Sequence, residues 1–182
     1  MSARYRIERV QRIPRQRSEV FAFFSEAANL QRLTPYFLSF RILTPLPIVI
    51  ESGTVIDYEL RLYGIPVRWR TRIDAFTPDE SFVDTQLFGP YRRWVHQHTF
   101  RDIAGGTEMR DVVDYELSFG PLGQLAHEAF VRRSLARVFD YRHDAVVAIF
   151  GSYPGGGSDA ISPASASSPA TPASSPSHQR RA

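Results

Sequence analysis

Between Trp94 and Leu117 the chain alternates with a period of two, interrupted once at Gly105-Gly106. Trp94, His96, His98 and Phe100 fall on one side of the first run, and Arg93, Val95, Gln97 and Thr99 on the other. In the second run Thr107, Met109, Asp111, Val113, Tyr115 and Leu117 share a side, opposite Glu108, Arg110, Val112, Asp114 and Glu116. Successive side chains of a strand point to opposite faces, so each run predicts a long strand, and the glycine pair suits a tight reversal between them. The same alternation predicts a first strand over Arg4 to Ile13, ended by Pro14. From Thr54 to Tyr63, Ile56, Tyr58, Leu60 and Leu62 oppose Asp57, Glu59 and Arg61. After a turn at Gly64-Ile65-Pro66, Val67, Trp69, Thr71 and Ile73 oppose Arg68, Arg70, Arg72 and Asp74. Pro78-Asp79 marks a further turn before a strand from Ser81 to Phe88. With Phe37 to Leu43 the set comes to seven, six of them in consecutive antiparallel hairpins.

Two stretches follow a helical period instead. EVFAFFSEAANLQRL, from Glu19, carries Phe21, Phe24, Ala28 and Leu33 on an apolar side, and a break near Ser25 and Glu26 divides it into two short helices. Thr34-Pro35 stops it, because the residue before proline is pushed out of the helical region. From Leu122 to Ile149 the only glycine is Gly123, and there is no proline. Phe130, Val131, Leu135, Val138, Tyr141, Ala145 and Ile149 cluster on one side of this long helix, with Arg132, Arg133, Arg137, Asp140 and Asp144 largely on the other. Its apolar side needs a partner, and the sheet is the one large enough.

Composition narrows the picture. The 182 residues are 43% apolar, enough for one domain with a sizeable core plus some excess. There is no cysteine, which excludes disulfides, thiol nucleophiles and thiolate metal sites. All 22 basic residues are arginine, yet the formal charge is only +3. Arg68, Arg70 and Arg72 face Asp57 and Glu59 of the neighbouring strand, so cross-strand pairing on a solvated face accounts for them and no nucleic-acid partner is expected. No apolar run approaches ~20 residues and no signal-peptide core opens the chain. The expectation is a soluble cytoplasmic protein, monomer or weak homodimer, with no stable membrane insertion. Residues 151–182 are rich in Ser, Ala, Pro and Gly, and are expected to form a disordered tail after a domain spanning 3–150.

The order strand, two short helices, six strands, long helix is specific for a small domain. Together with the GPYRRWVHQHTF run from Gly89, Gly106-Thr107, Met109-Arg110-Asp111, Val113 to Leu117, and Phe119-Gly120-Pro121-Leu122-Gly123, it resembles the START-like, or SRPBCC, superfamily. Small bacterial members of the polyketide cyclase/dehydrase and coenzyme Q-binding groups are the nearest in kind. The resemblance covers about residues 3 to 150. It implies an α+β helix-grip fold, in which a curved seven-stranded antiparallel sheet surrounds the long C-terminal helix with a cavity for an apolar ligand between them. It also implies a choice between carriers of lipid, quinone or polyketide-like molecules and aromatase/cyclases.

On this arrangement the inward side chains are Tyr58, Leu62, Trp69, Ile73, Phe88, Trp94, His96, His98, Phe100, Met109, Asp111, Val113 and Tyr115. Ligand sites are mostly apolar with a few placed polar groups. His96, His98 and Asp111 either hold the strand pair in register as an internal polar cluster, contact a ligand, or act in catalysis with Tyr115. His96 and His98 with Asp111 supply three potential metal ligands, but no second cluster accompanies them and His127 and His143 lie on the long helix, so no metal is expected. No dinucleotide, P-loop or nucleophile-elbow pattern is present, and no cofactor is expected. The leading expectation is binding or carriage of a hydrophobic small molecule. The alternative is a cyclase or dehydratase using His96 or His98 as general base, with Asp111 or Tyr115 orienting or donating a proton.

Overall fold

A computed structural model describes residues 3–118 and 130–154, and the backbone of 161–166. In chain order it forms β1 (Arg4–Ile13), α1 (Arg17–Phe24), a 3-10 turn (Ala27–Asn29), α2 (Leu30–Leu33) and a second 3-10 turn (Tyr36–Leu38). Then come β2 (Arg41–Ile42), β3 (Val55–Leu62), β4 (Ile65–Thr77), β5 (Ser81–Phe88), β6 (Arg93–Ile103), β7 (Gly106–Glu116), α3 (Arg132–Phe150) and β8 (Ile161–Ala166). The seven expected strands make one antiparallel sheet in the order β2-β3-β4-β5-β6-β7-β1, and β8 extends it beyond β1.

Two boundaries differ from expectation. The strand expected over Phe37 to Leu43 shrinks to Arg41–Ile42, because a 3-10 turn follows Pro35 and Ser39 takes a left-handed conformation with φ of 47°. Within the stretch expected to be a disordered tail, Ile161–Ala166 pairs with β1, with an irregularity between Arg6 and Glu8. This strand pairs with the edge of β1 opposite β7, and Pro163, which lacks an N–H, falls opposite that irregularity. The rest of the tail beyond residue 154, His127, and the start of the expected long helix at 122–129 lie outside the described residues.

The break between the first helices is where the sequence placed it. Ser25 Oγ donates to the Phe21 carbonyl at 2.8 Å and closes α1, and the Glu26 carboxylate accepts from the Ala28 N–H at 3.3 Å. These helices and α3 cover the concave face of the sheet. Near one end lies an apolar core of Ile13, Val20, Phe21, Phe100, Met109 and Phe150, and near the other a core of Ile7, Trp69, Trp94, Val113, Tyr115 and Phe139. On β6 the chain passes from Trp94 in one core to Phe100 in the other, and His96 and His98 fall between them. On the outer face of β3 and β4 the expected cross-strand pairing is made by Arg70, which grips Asp57 with contacts of 2.7 and 3.0 Å, whereas Arg72 meets Asp74 of its own strand at 2.6 Å. Among the described residues no helix is long and apolar enough to cross a membrane.

Candidate functional site

Strand register assembles the site. In an antiparallel pair, residues directly opposite point to the same face. Asp84 of β5 is paired with His96 of β6, and His98 of β6 with Asp111 of β7, so two imidazoles and two carboxylates meet on the concave face. The rings of His96 and His98 are 3.8 Å apart between centroids, and Phe82 stacks on His98 at 4.1 Å. Each aspartate touches both histidines. Asp111 Oδ1 is 2.6 Å from His98 Nδ1 and 3.3 Å from His96 Nε2. Asp84 Oδ2 is 3.3 Å from His98 Nε2 and 3.8 Å from His96 Nδ1. Thr71 donates to the other Asp84 oxygen at 3.3 Å. From above, α3 lowers Arg142 onto the group: Nε lies 3.4 Å from Asp111 Oδ2, and Nη2 lies 3.4 Å from His98 Nδ1.

Burial sets the protonation of this group. His98 loses solvation, which disfavours its charge, but Asp111 and Asp84 outweigh that and raise its pKa above the ordinary histidine value. His96 is likewise desolvated and also faces His98, and its pKa is lowered. Asp111 is held well below the usual carboxylate range: burial raises it, and Arg142 and His98 pull it down further. Asp84 is lowered despite burial, by its hydrogen bond with His98 and by its position between the two imidazoles. The cluster thus sets two carboxylates and a guanidinium beside one imidazole whose charged form is favoured and one whose neutral form is favoured. It is nonetheless not fully satisfied. His96 Nε2, Asp111 Oδ1 and Arg142 Nε lack a hydrogen bond of good geometry, as does the indole N–H of Trp69 nearby.

Four of these groups, Asp84, His96, His98 and Arg142, line a cavity of about 480 Å³ between α3 and the sheet, and Tyr58, Trp69, Tyr91 and Trp94 give it an aromatic wall. Tyr58 stacks on Trp69 at 5.8 Å, and Trp69 meets Trp94 edge-on at 5.4 Å. Burial raises the phenol pKa of Tyr58, with help from Asp84, and that of Tyr91, so both remain protonated donors. The exposed Tyr63 lies at the mouth, where its hydroxyl is 2.6 Å from Ser134 Oγ of α3.

Of the residues expected on the cavity wall, the fold brings together Tyr58, Leu62, Trp69, Ile73, Trp94, His96 and His98. Asp111 does not line the cavity but stands behind the two histidines. Phe100 and Met109 are buried in the apolar core near the first helices, and Val113 and Tyr115 in the other core, with Tyr115 stacked on Tyr5. Phe88 is 64% exposed. It leaves the concave face because Gln86 pairs with Thr71 while Phe88 pairs with Arg70, so Leu87 is an extra residue on β5 and the strand end turns over.

Asp84 and Arg142 were not singled out from the sequence. Asp84 alternates with Phe82 on β5, so its inward orientation was available from the pattern. Arg142 sits in the series Leu135, Phe139, Arg142, Val146, Phe150, a charged residue in the middle of a buried helical stripe. The helix face is rotated from the expected one, and Phe130, expected on it, is 61% exposed.

The model of a family described as polyketide cyclase/dehydrase and lipid transport matches residues 13–140. No curated protein matches the chain. Among solved structures, the Zhui aromatase/cyclase from Streptomyces sp. R1128 superposes with a TM-score of 0.63 at 15% identity, over 80% of this chain and 93% of that one. A protein from Chromobacterium violaceum gives 0.62 at 12% identity, over 80% and 96%. One from Rhodobacter sphaeroides gives 0.59 at 16%, over 79% and 91%. At these identities the likeness is one of fold.

Proposed function

The chain belongs to the polyketide cyclase/dehydrase and lipid transport family, and from that premise we propose that it binds a hydrophobic, oxygen-bearing small molecule in the cavity under α3. The observation that carries this reading is a cavity of about 480 Å³ with an aromatic wall and a buried polar group among its lining residues. Small-molecule sites span ~300–1,000 Å³ and combine an apolar lining with a few placed polar groups. Here the unpartnered indole N–H of Trp69 and the Arg142 guanidinium are donors without full acceptors. A carbonyl or hydroxyl oxygen on the occupant meets that need, which favours a quinone or polyketide-like aromatic over a plain hydrocarbon chain. Native mass spectrometry of protein purified from its own cells, with extraction of whatever is bound, tests the proposal. A stoichiometric aromatic or quinone-like compound is expected. Only unbound protein, together with no uptake of such compounds, contradicts it.

A second reading has its own support. His96, with its pKa lowered, and His98, with its pKa raised, lie with ring centroids 3.8 Å apart as a base next to an acid, and opposite shifts on adjacent groups are how acid–base sites are built. The structural likeness to an aromatase/cyclase agrees with it. In this form His96 takes a proton from carbon and His98 gives one to a departing hydroxyl, and Tyr115, buried outside the cavity lining, has no part. Ligand binding retained in His96→Gln, with loss of dehydration of a bound β-hydroxyketone, supports the enzyme. Unchanged turnover in that variant removes it.

A further inference from the structure

The two-sided arrangement of the histidine pair carries a different chemistry. We infer that Asp84, His96 and His98 form a binding site for a first-row divalent transition metal such as zinc, with Asp111 as the carboxylate that orients both imidazoles.

The argument begins with which nitrogen faces which carboxylate. A histidine bound to a metal offers the lone pair of one ring nitrogen and usually donates the N–H of the other to a carboxylate, which fixes the tautomer and the ring plane. Asp111 stands opposite one nitrogen of each ring, 2.6 Å from His98 Nδ1 and 3.3 Å from His96 Nε2. The remaining nitrogens, His98 Nε2 and His96 Nδ1, are 3.3 and 3.8 Å from a single oxygen of Asp84. Both rings therefore present one nitrogen to Asp111, which for His96 still needs a small rotation to form the hydrogen bond, and the other to a common point.

Spacing and charge agree with an ion at that point. Ligand atoms of Asp84, His96 and His98 all lie within 4.8 Å of one another. Two atoms at ~2.0–2.1 Å from a tetrahedral zinc are about 3.3–3.4 Å apart, so the Asp84–His98 contact of 3.3 Å already fits, the Asp84–His96 contact of 3.8 Å is slightly wide, and rotation of the imidazoles closes the rest. Arg142 stays off Asp84: its Nε lies by Asp111 Oδ2 and its Nη2 by His98 Nδ1, so it neutralises the orienting carboxylate and leaves Asp84 to balance the cation, and the Nη2 contact gives way when Nδ1–H points at Asp111. Metal binding replaces the proton on His98 Nε2 and leaves the one on Nδ1 toward Asp111.

Chemical class follows from the donors. Two imidazoles and one carboxylate, without thiolate, suit zinc, cobalt or iron in the divalent state. Asp84, His96 and His98 all line the cavity and Asp111 does not. Open coordination positions consequently face the cavity, where water or an oxygen of an occupant completes the shell. The inference is independent of the ligand-binding proposal, since an empty cavity with this triad still takes up the ion and an apolar occupant needs none.

The test uses the full 182-residue chain, stripped with a chelator and titrated with Co²⁺. Visible absorption bands saturating at one equivalent and lost on adding Zn²⁺ are expected. Asp84→Asn should abolish saturation, and Asp111→Asn should weaken the affinity by ~10–100-fold. His143→Ala, which alters a half-buried histidine of α3 outside the cluster, should leave it unchanged, with circular dichroism showing each variant folded. If Asp84→Asn does not fold, the wild-type Co²⁺ complex serves instead: its proton NMR spectrum should show two paramagnetically shifted, exchangeable imidazole N–H signals. Absence of bands at millimolar Co²⁺ overturns the inference, as does saturation unaffected by Asp84→Asn or a spectrum without histidine N–H signals.

Discussion

Asp111 makes contacts with His96, His98 and Arg142 while being only 5% exposed, so its charge is supported by three neighbours and little water. Its folded pKa is depressed, so the stability it contributes is present above the ordinary aspartate value near ~3.9 and is lost as pH falls through that value toward the folded one. In a chelator-containing buffer, the urea midpoint of the wild type should therefore drop more steeply between about pH 5 and 3 than that of Asp111→Asn. Parallel profiles for the two proteins would contradict this. A separate prediction concerns packing. Trp94 is 9% exposed and touches the rings of Trp69, Tyr91, Tyr115 and His96. Trp94→Ala should cost about 3–5 kcal/mol in chemical denaturation; a cost below about 1 kcal/mol would show that the ring only borders open space. His96, His98, Asp111 and Trp69 were legible in the sequence because alternation alone assigns a face. The inward face of Asp84 was available in the same way, but its role, like that of Arg142, is recognisable only once strand register and helix rotation bring the two against the histidines.

Among the elements, the sheet shows where period-two reasoning holds and where it stops. On β6 and β7 it holds from Arg93 to Glu116, because the register runs without interruption from Arg93↔Glu116 to Ile103↔Gly106. On β4 and β5 it fails twice. One extra residue on each strand, near Asp74 and near Leu87, changes the face beyond it, bringing Phe76 against the core and sending Phe88 to solvent. Such bulges bend the sheet around α3 but leave no glycine or proline mark in FVDTQLF, so the pattern could not announce them. The β6–β7 reversal makes another demand. A Cβ on Gly106 would run into the backbone carbonyl of Ile13 on β1, where no flexible side chain can give way. Gly106→Ala should consequently destabilise the protein by about 1–3 kcal/mol, while the same change at Gly89, where only the Gln86 side chain is close, should cost less. Thermal or urea unfolding of the two variants checks the order.

For the molecule as a whole, β8 adds a short, late strand to an edge that the other seven leave open. A chain ending at Gly151 should keep its fold, with a thermal midpoint within about 4 °C of the full chain, because loss of roughly 1 kcal/mol shifts a domain of this size by ~2–4 °C. A fall well beyond that would make the strand part of the stable fold. The helix-grip architecture was readable from the order of elements, whereas the pairing of β8 was not, since ISPASA has neither alternation nor aromatic content to mark a strand. One further property follows from the wall of the cavity. The chain has only two tryptophans, and they meet edge-on there at 5.4 Å, both at least 90% shielded from solvent. All tryptophan emission of the protein, and the exciton coupling between two perpendicular indoles in its near-ultraviolet circular dichroism, therefore originate within contact distance of any occupant. The molecule carries its own optical gauge of occupancy: loading or emptying the cavity registers in both signals without a label, and neither has a background from tryptophans elsewhere.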